Sequence, residues 1–280
     1  MILIDKILIG IAFSPNLKAN LFEAIRLSNT FKATLIGVHV GQKTSEKETK
    51  LNALLQEAPK VSKSFKSIWQ EGEPVDVILQ TAHNQKVNLL ILGALQKENI
   101  YKYYVGSIAR KLTRKAPCSV LLLIKPSIER VPCKHIIING LKSEKTKRTI
   151  AVGFQVCKKL NCKRVTIVEE ISQAELDVKV SDDLTLRKTT ISKERIKTRE
   201  DIRVKSILKE IDTEDIIVKT QSIFGRRGYS IGHYAKVKRA DLLIINPPSK
   251  LGLLDRIFPH DLEYILSELP TDVLIVKLDE

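Results

Sequence analysis

In the stretch GALQKENIYKYYVGS, Gly93 stands at the head and Gly106 and Ser107 at the foot of a polar, aromatic-rich segment. Gly93 closes an apolar run that reads as a strand; Ser107 opens the amphipathic run SIARKLTRKA. A residue without a Cβ lets main-chain N–H groups approach a ligand closely. A helix N-terminus adds unpaired N–H donors and the positive end of the helix dipole, which together suit an anion such as phosphate. Ser107 is placed to act as the N-cap, and Lys111, Arg114 and Lys115 fall toward the C-terminal end, where cations are favourable. Two glycines can equally do no more than make turns, and the local residues leave both readings open.

A second stretch of the same length, NPPSKLGLLDRIFPH, puts Asn246, Ser249, Pro259 and His260 where the first has Gly93, Gln96, Gly106 and Ser107. Pro259 has no N–H to donate. Asp261 and Glu263 would occupy the first helical turn and repel an anion there. The second copy therefore reads as having lost the anion site, leaving that half to dimerise or bind partners.

These stretches belong to a longer internal repeat. At an offset of 153, VNLLILG falls on ADLLIIN, and APCSVLLLIK falls on LPTDVLIVKL. The opening strands KILIGIA and KHIIING match at an offset of 128, which sets Gly140 on Ala12. Each half alternates apolar runs with amphipathic helices, the pattern of a parallel sheet covered on both faces. The spacing predicts two α/β domains, at residues 1–126 and 133–280, each a flavodoxin-like, doubly wound, five-stranded parallel sheet. The surplus of the second half lies at about 172–212, a charged segment that reads as a solvated helix or excursion, with a docking arm as the alternative. Ligands in such folds sit beyond the carboxyl ends of the strands, where the strand order reverses.

A glycine pattern G-x-x-G-x9-G-S/T between the fourth strand and fourth helix resembles that of the universal stress protein family, whose fold is adenine nucleotide alpha hydrolase-like. Gly93, Gly106 and Ser107 keep three of its four positions, and Gln96 replaces the second glycine. The resemblance implies a tandem member that binds ATP or a related adenine nucleotide in its first half. Gly93, Gln96, Gly106, Ser107 and Ile108 would lie at the phosphates and Val40, which ends GVHV, by the adenine. Ala12 and Phe13 stand where nucleotide-binding relatives carry an Asp-x-Ser-like stretch, so a polar contact to the nucleotide is missing. The resemblance also implies antiparallel pairing of Val120–Ile124 with Val273–Lys277, an intramolecular pseudo-dimer, and a homodimer remains open. No metal is expected beyond a magnesium ion accompanying the nucleotide.

Composition narrows the rest. With 43% hydrophobic but only 5% aromatic residues, the cores should be aliphatic. No apolar run reaches membrane-spanning length and the N-terminus lacks a cleavage site, so a cytoplasmic location without membrane contact is expected. The formal charge of +15 concentrates in Lys102–Lys115 and Lys142–Arg164, basic faces suited to a polyanionic or protein partner. Cys118, Cys133, Cys157 and Cys162 form no C-x-x-C pair; Cys157 and Cys162 read as ordinary residues of a helix and its exit. The basic FGRRGYSIGHY reads as a loop with an exposed Arg226–Arg227 pair, and His39 as a packed, hydrogen-bonded residue. No nucleophile, base and oxyanion donor assemble at readable spacing. The function expected is a non-catalytic stress-response regulator; the alternatives are a ligand-free interaction scaffold and a weak ATP hydrolase or nucleotidyl transferase.

Overall fold

The computed structural model describes residues 4–61, 63–96, 103–172, 183–246 and 261–277. The chain divides into two compact units, Met1–Pro132 together with Leu266–Glu280, and Cys133–Ile265.

In the first unit the elements alternate as β1 (Lys6–Gly10), α1 (Leu17–Phe31), β2 (Thr34–Val40), α2 (Ser45–Glu57), β3 (Phe65–Gln70), α3 (Pro74–Asn84) and β4 (Leu89–Gly93). The short β5 (Leu95–Gln96) and β6 (Tyr103–Tyr104) follow, then α4 (Ser107–Lys115) and β7 (Ser119–Leu123). The strand order is β3-β2-β1-β4-β7, all parallel. Ile7–Ile9, Leu89–Leu92 and every residue of β7 are buried, because helices cover both faces of the central strands. Helix α1 turns Leu21, Ala24, Ile25 and Ser28 to the sheet. Thr44 caps α2 by accepting a hydrogen bond from Lys47 N at 3.3 Å, and Pro74 begins α3 where its missing N–H costs nothing.

The second unit runs β8 (Ile136–Asn139), α5 (Thr146–Lys159), β9 (Arg164–Ser172), α6 (Asp183–Leu208), β10 (Ile217–Gly225), α7 (Tyr229–Val237) and β11 (Leu242–Ile245), with the order β10-β9-β8-β11. Its described pairings are parallel. Helix α8 (Asp261–Ser267) precedes β12 (Asp272–Ile275).

Strand β12 pairs antiparallel with β7, Val273 opposite Leu122 and Ile275 opposite Val120, and groups with the first unit. Side chains fix that register. Ser119 Oγ donates to Lys277 O at 2.9 Å and accepts from Lys277 N at 3.0 Å, while Asp272 Oδ1 accepts from Ile124 N at 2.8 Å. The antiparallel pairing is the one the resemblance implies.

The repeat is visible in equivalent hydrogen bonds. Asn88 Oδ1 accepts from the N–H groups of Asp5 and Lys6, both at 3.0 Å, and Asp241 Oδ2 from those of Lys134 and His135 at 2.7 and 2.9 Å. In register, Ile7 stands opposite Leu89 and Ile136 opposite Leu242. The first strands therefore match at an offset of 129, one residue from the value read off the sequence. Gly140 takes the place of Ile11, and Leu141 that of Ala12. An apolar run of Ile and Leu has no internal mark that distinguishes a slip of one residue; the ladder does.

Within the segment at 172–212, residues 183–208 form a long helix, the helical form of the reading from sequence. Helix α6 follows β9 as α2 follows β2, and it buries Thr189, Glu200 and Val204. Within FGRRGYSIGHY, Phe224 and Gly225 end β10 and Tyr229 starts α7, leaving a short turn between. Arg226 lies over the Tyr264 ring at 4.3 Å and donates to its hydroxyl.

Candidate functional site

Strand order reverses at β1, which has β2 on one side and β4 on the other, and this brings together the carboxyl ends of the three strands. Ala12 and Phe13 follow β1, Val40 ends β2, and Gly93 ends β4. Ala12 and Gly93 are exposed; Phe13 and Val40 are half-buried.

Beyond Gly93 the chain does not form the open loop that the sequence suggests. Leu95 pairs with Tyr104 and Gln96 with Tyr103, antiparallel, so a small hairpin holds Gly93 and Gly106 at its base. Helix α4 then starts one residue from where it was expected. Gly106 is the N-cap, with φ −64° and ψ 166°, and Ser107 is the first helical residue. The serine therefore cannot cap the helix it was expected to cap, because an N-cap side chain must sit on the residue before the first turn. Among the described residues no side chain caps α4, its first turn holds no acid, and the first intrahelical bond runs from Arg110 N to Gly106 O at 2.9 Å. Ser107 and Ile108 are exposed residues, and their amides precede that bond. The N-terminus is thus an uncompensated positive dipole end open to an anion.

Gly93 contributes space. A Cβ at this position would stand 2.9 Å from Asn20 Nδ2 and 3.1 Å from Asn20 Oδ1. Asn20 Oδ1 is buried and has no hydrogen-bond partner among the described residues. A polar atom in that condition normally has water or a ligand as its partner.

On the other side of β1, Phe13 packs in an aromatic cluster that the sequence reading did not find. Its ring lies 5.1 Å from His39, edge on, and 6.2 Å from Trp69, stacked; His39 and Trp69 are 4.9 Å apart. The register makes this meeting possible, since His39 stands directly opposite Trp69. His39 is buried and hydrogen-bonded, as expected: Nδ1 donates to Ile11 O at 2.8 Å, and Nε2 accepts from Lys47 Nζ at 3.2 Å. Both nitrogens are committed. A His at one strand end and a Trp at the same level of the next was the available signal, once β2 and β3 are known to be neighbours.

The equivalent ends in the second unit are filled by its own side chains. Asn246, in the place of Gly93, donates from Nδ2 to Thr146 Oγ1 at 2.9 Å. Glu169, in the place of His39, is 3% exposed and faces Arg203 at 3.3 Å. Arg203 also donates to Gly140 O and pairs with Glu200 at 2.7 Å. Burial pushes the Glu169 carboxyl up to about 7, against the pull of Arg203. Glu170 accepts from Gly228 N and Ile231 N at 2.7 and 2.9 Å and so caps α7. Ser249, Pro259 and His260, named in the sequence reading, lie outside the described residues. Among the described residues no three His, Cys, Asp or Glu are disposed to hold a metal, and no helix is long and apolar enough to cross a membrane.

Comparison with known proteins bears on the fold and on part of the chain. A sequence model of the universal stress protein family matches residues 41–123. A universal stress protein of Methanothermobacter thermautotrophicus is 33% identical over 60 residues, 21% of this chain and 40% of that protein. One of Methanocaldococcus jannaschii is 32% identical over 59 residues, 21% of this chain and 35% of the relative. The aligned part thus spans less than half the length of these curated relatives. Among solved structures, a universal stress protein from Archaeoglobus fulgidus superposes with a TM-score of 0.74 at 14% identity, covering 99% of both chains. A protein of unknown function from Pseudomonas aeruginosa gives 0.73 at 17% identity, covering 98% of this chain and 92% of the other. The α/β fold described above is therefore that of solved universal stress proteins, and residues 41–123 match the sequence model of that family.

Proposed function

We propose that the first unit binds an adenine nucleotide, ATP or a close relative, and that the chain works as a stress-linked regulatory binding module rather than an enzyme. The observation that carries this reading is the uncapped, acid-free N-terminus of α4, held by the β5–β6 hairpin at the end of the strand bearing Gly93. Phosphates would take the amides of Ser107 and Ile108. The base would lie by Val40 against the Phe13–Trp69 cluster, where stacking on an aromatic face contributes on the order of 1 kcal/mol. Asn20 Oδ1 supplies an acceptor without a partner of its own. The reading of a binding module rests on the groups at these strand ends. Ala12, Phe13, Val40 and Gly93 transfer no protons, and both nitrogens of His39 are already engaged.

Trp69 is the sole tryptophan of the chain and reports on the site directly. ATP should raise the melting temperature by a few degrees and change the Trp69 emission, since a ligand at a hundredfold its Kd adds about 2.7 kcal/mol of stability. Tripolyphosphate should raise the melting temperature while leaving the emission nearly unchanged. Gly106→Glu should abolish both responses. Absence of any shift with millimolar ATP, in a protein that melts cooperatively, would refute the reading.

A further inference from the structure

Helix α6 runs for 26 residues, twice the 13 of α2, its counterpart in the first unit. Its inner side buries Thr189, Glu200 and Val204. The opposite side carries apolar residues that the fold leaves uncovered: Leu184 is 62% exposed, Ile191 54% and Ile202 63%. Their separations of seven and eleven residues are close to whole numbers of helical turns. At about 100° per residue the three side chains therefore fall on one line along the helix. Helix α2 exposes no large apolar side chain.

The same side is basic. Arg187, Lys188, Arg195, Arg199 and Lys205 lie within about 60° of that line, and no acid does. The acids of α6 lie elsewhere: Glu200 is buried, and Asp183, Glu194 and Asp201 stand farther round the helix. Three of them are matched, Glu200 with Arg199 at 2.9 Å, Asp201 with Lys205 at 2.6 Å and Glu194 with Lys197 at 2.7 Å. Arg187, Lys188 and Arg195 form no ion pair among the described residues. The ridge thus sets separate aliphatic side chains among cations that no acid neutralises.

We propose that this ridge of α6 docks on an anionic phospholipid surface. The helix lies flat, Leu184, Ile191 and Ile202 enter between the headgroups, and Arg187, Lys188 and Arg195 meet their phosphates. Charge complementarity selects this occupant. A helix face that joins apolar and cationic residues gains both from acyl-chain contact and from the negative potential of anionic lipid. A second copy of the chain would set one cationic ridge against another. A folded protein partner would need a continuous apolar contact, whereas Arg195 and Arg199 interrupt the line between Ile191 and Ile202. Lipid headgroups part around each side chain separately. An interfacial helix needs no spanning length, so the lack of a membrane-crossing helix among the described residues does not count against it. Such docking sets aside the expectation of no membrane contact, which rested on spanning length alone.

The test is flotation of the full chain with vesicles of equal parts phosphatidylglycerol and phosphatidylcholine, and with vesicles of phosphatidylcholine alone. The expected result is binding to the first and not the second, weakening as salt is raised. Lys188→Gln and Arg195→Gln should each weaken binding about fivefold. Ile191→Ser combined with Ile202→Ser should weaken it about tenfold or more with the charge unchanged. Lys159→Gln, at the exposed end of α5, should bind as the wild type. All these side chains are exposed, so the variants should melt as the wild type does, and the wild-type comparison of the two vesicles stands without them. No binding to the anionic vesicles, or equal binding to both, would overturn the proposal. So would binding that the double isoleucine variant leaves intact, which would mean general attraction of a basic chain. Capture of an acidic protein through the ridge without vesicle binding would assign the surface to a protein instead.

Discussion

His39 donates from Nδ1 to the main-chain carbonyl of Ile11 at 2.8 Å, closing the gap between the ends of β1 and β2. The second unit satisfies the equivalent carbonyl, that of Gly140, with Arg203 from α6. One acceptor position thus receives an imidazole in one unit and a guanidinium tied to two carboxylates in the other. The first solution leaves aromatic surface at the strand ends; the second covers them with an ion-paired helix.

Replacing Ser107 by Asp separates the helix from its ligand. An acid in the first turn of α4 complements the dipole, so the nucleotide-free protein should gain about 0.3–1 kcal/mol at low salt. The same carboxylate would repel phosphate, so the stabilisation by ATP should fall away. Thermal melts with and without ATP check both signs in one experiment.

Gly153→Ala tests packing in the second unit. In α5 the added Cβ would stand 2.4 Å from Ile138 Cδ1 and 3.0 Å from its Cγ1. Alanine favours the helix by about 1 kcal/mol, but overpacking a rigid core costs about 1–3 kcal/mol. The variant should therefore be less stable by urea denaturation, with an unchanged slope.

Arg203→Ala should cost about 2–4 kcal/mol at pH 8, because Glu169 and Glu200 then stay buried with fewer partners. At pH 5 the loss should be smaller, since Glu169 is then protonated. Urea unfolding at the two pH values measures the difference.

Glu169 makes the wild type itself pH-dependent. Its folded carboxyl titrates near 7, above the ordinary 4.5, so between these values the folded state holds more protons than the unfolded one. This group's contribution to stability is accordingly complete below 4.5 and is lost as pH rises through 7, by on the order of 3 kcal/mol. A cavity of about 230 Å³ beside Glu169 and Ser222 gives water access to it. Glu169→Gln should flatten the melting-temperature profile between pH 5 and pH 8, and an unchanged slope would show that another group titrates.

Much of this architecture is legible in residue order alone. Apolar runs such as VNLLILG must be buried on both faces, and amphipathic helices between them must supply the cover, so a parallel sheet covered on both faces follows from local pattern. The repeat at 153 is equally plain, because Pro117 and Pro270 mark it. What residue order could not settle are relations across strands and between distant segments. The register of β8, the meeting of Phe13, His39 and Trp69, and the reach of Arg203 from α6 to Gly140 each join residues whose separation carries no period. Hydrophobic periodicity determines which face of an element is buried; which side chains then share that buried space depends on ladder register and helix placement, which only the packed chain decides.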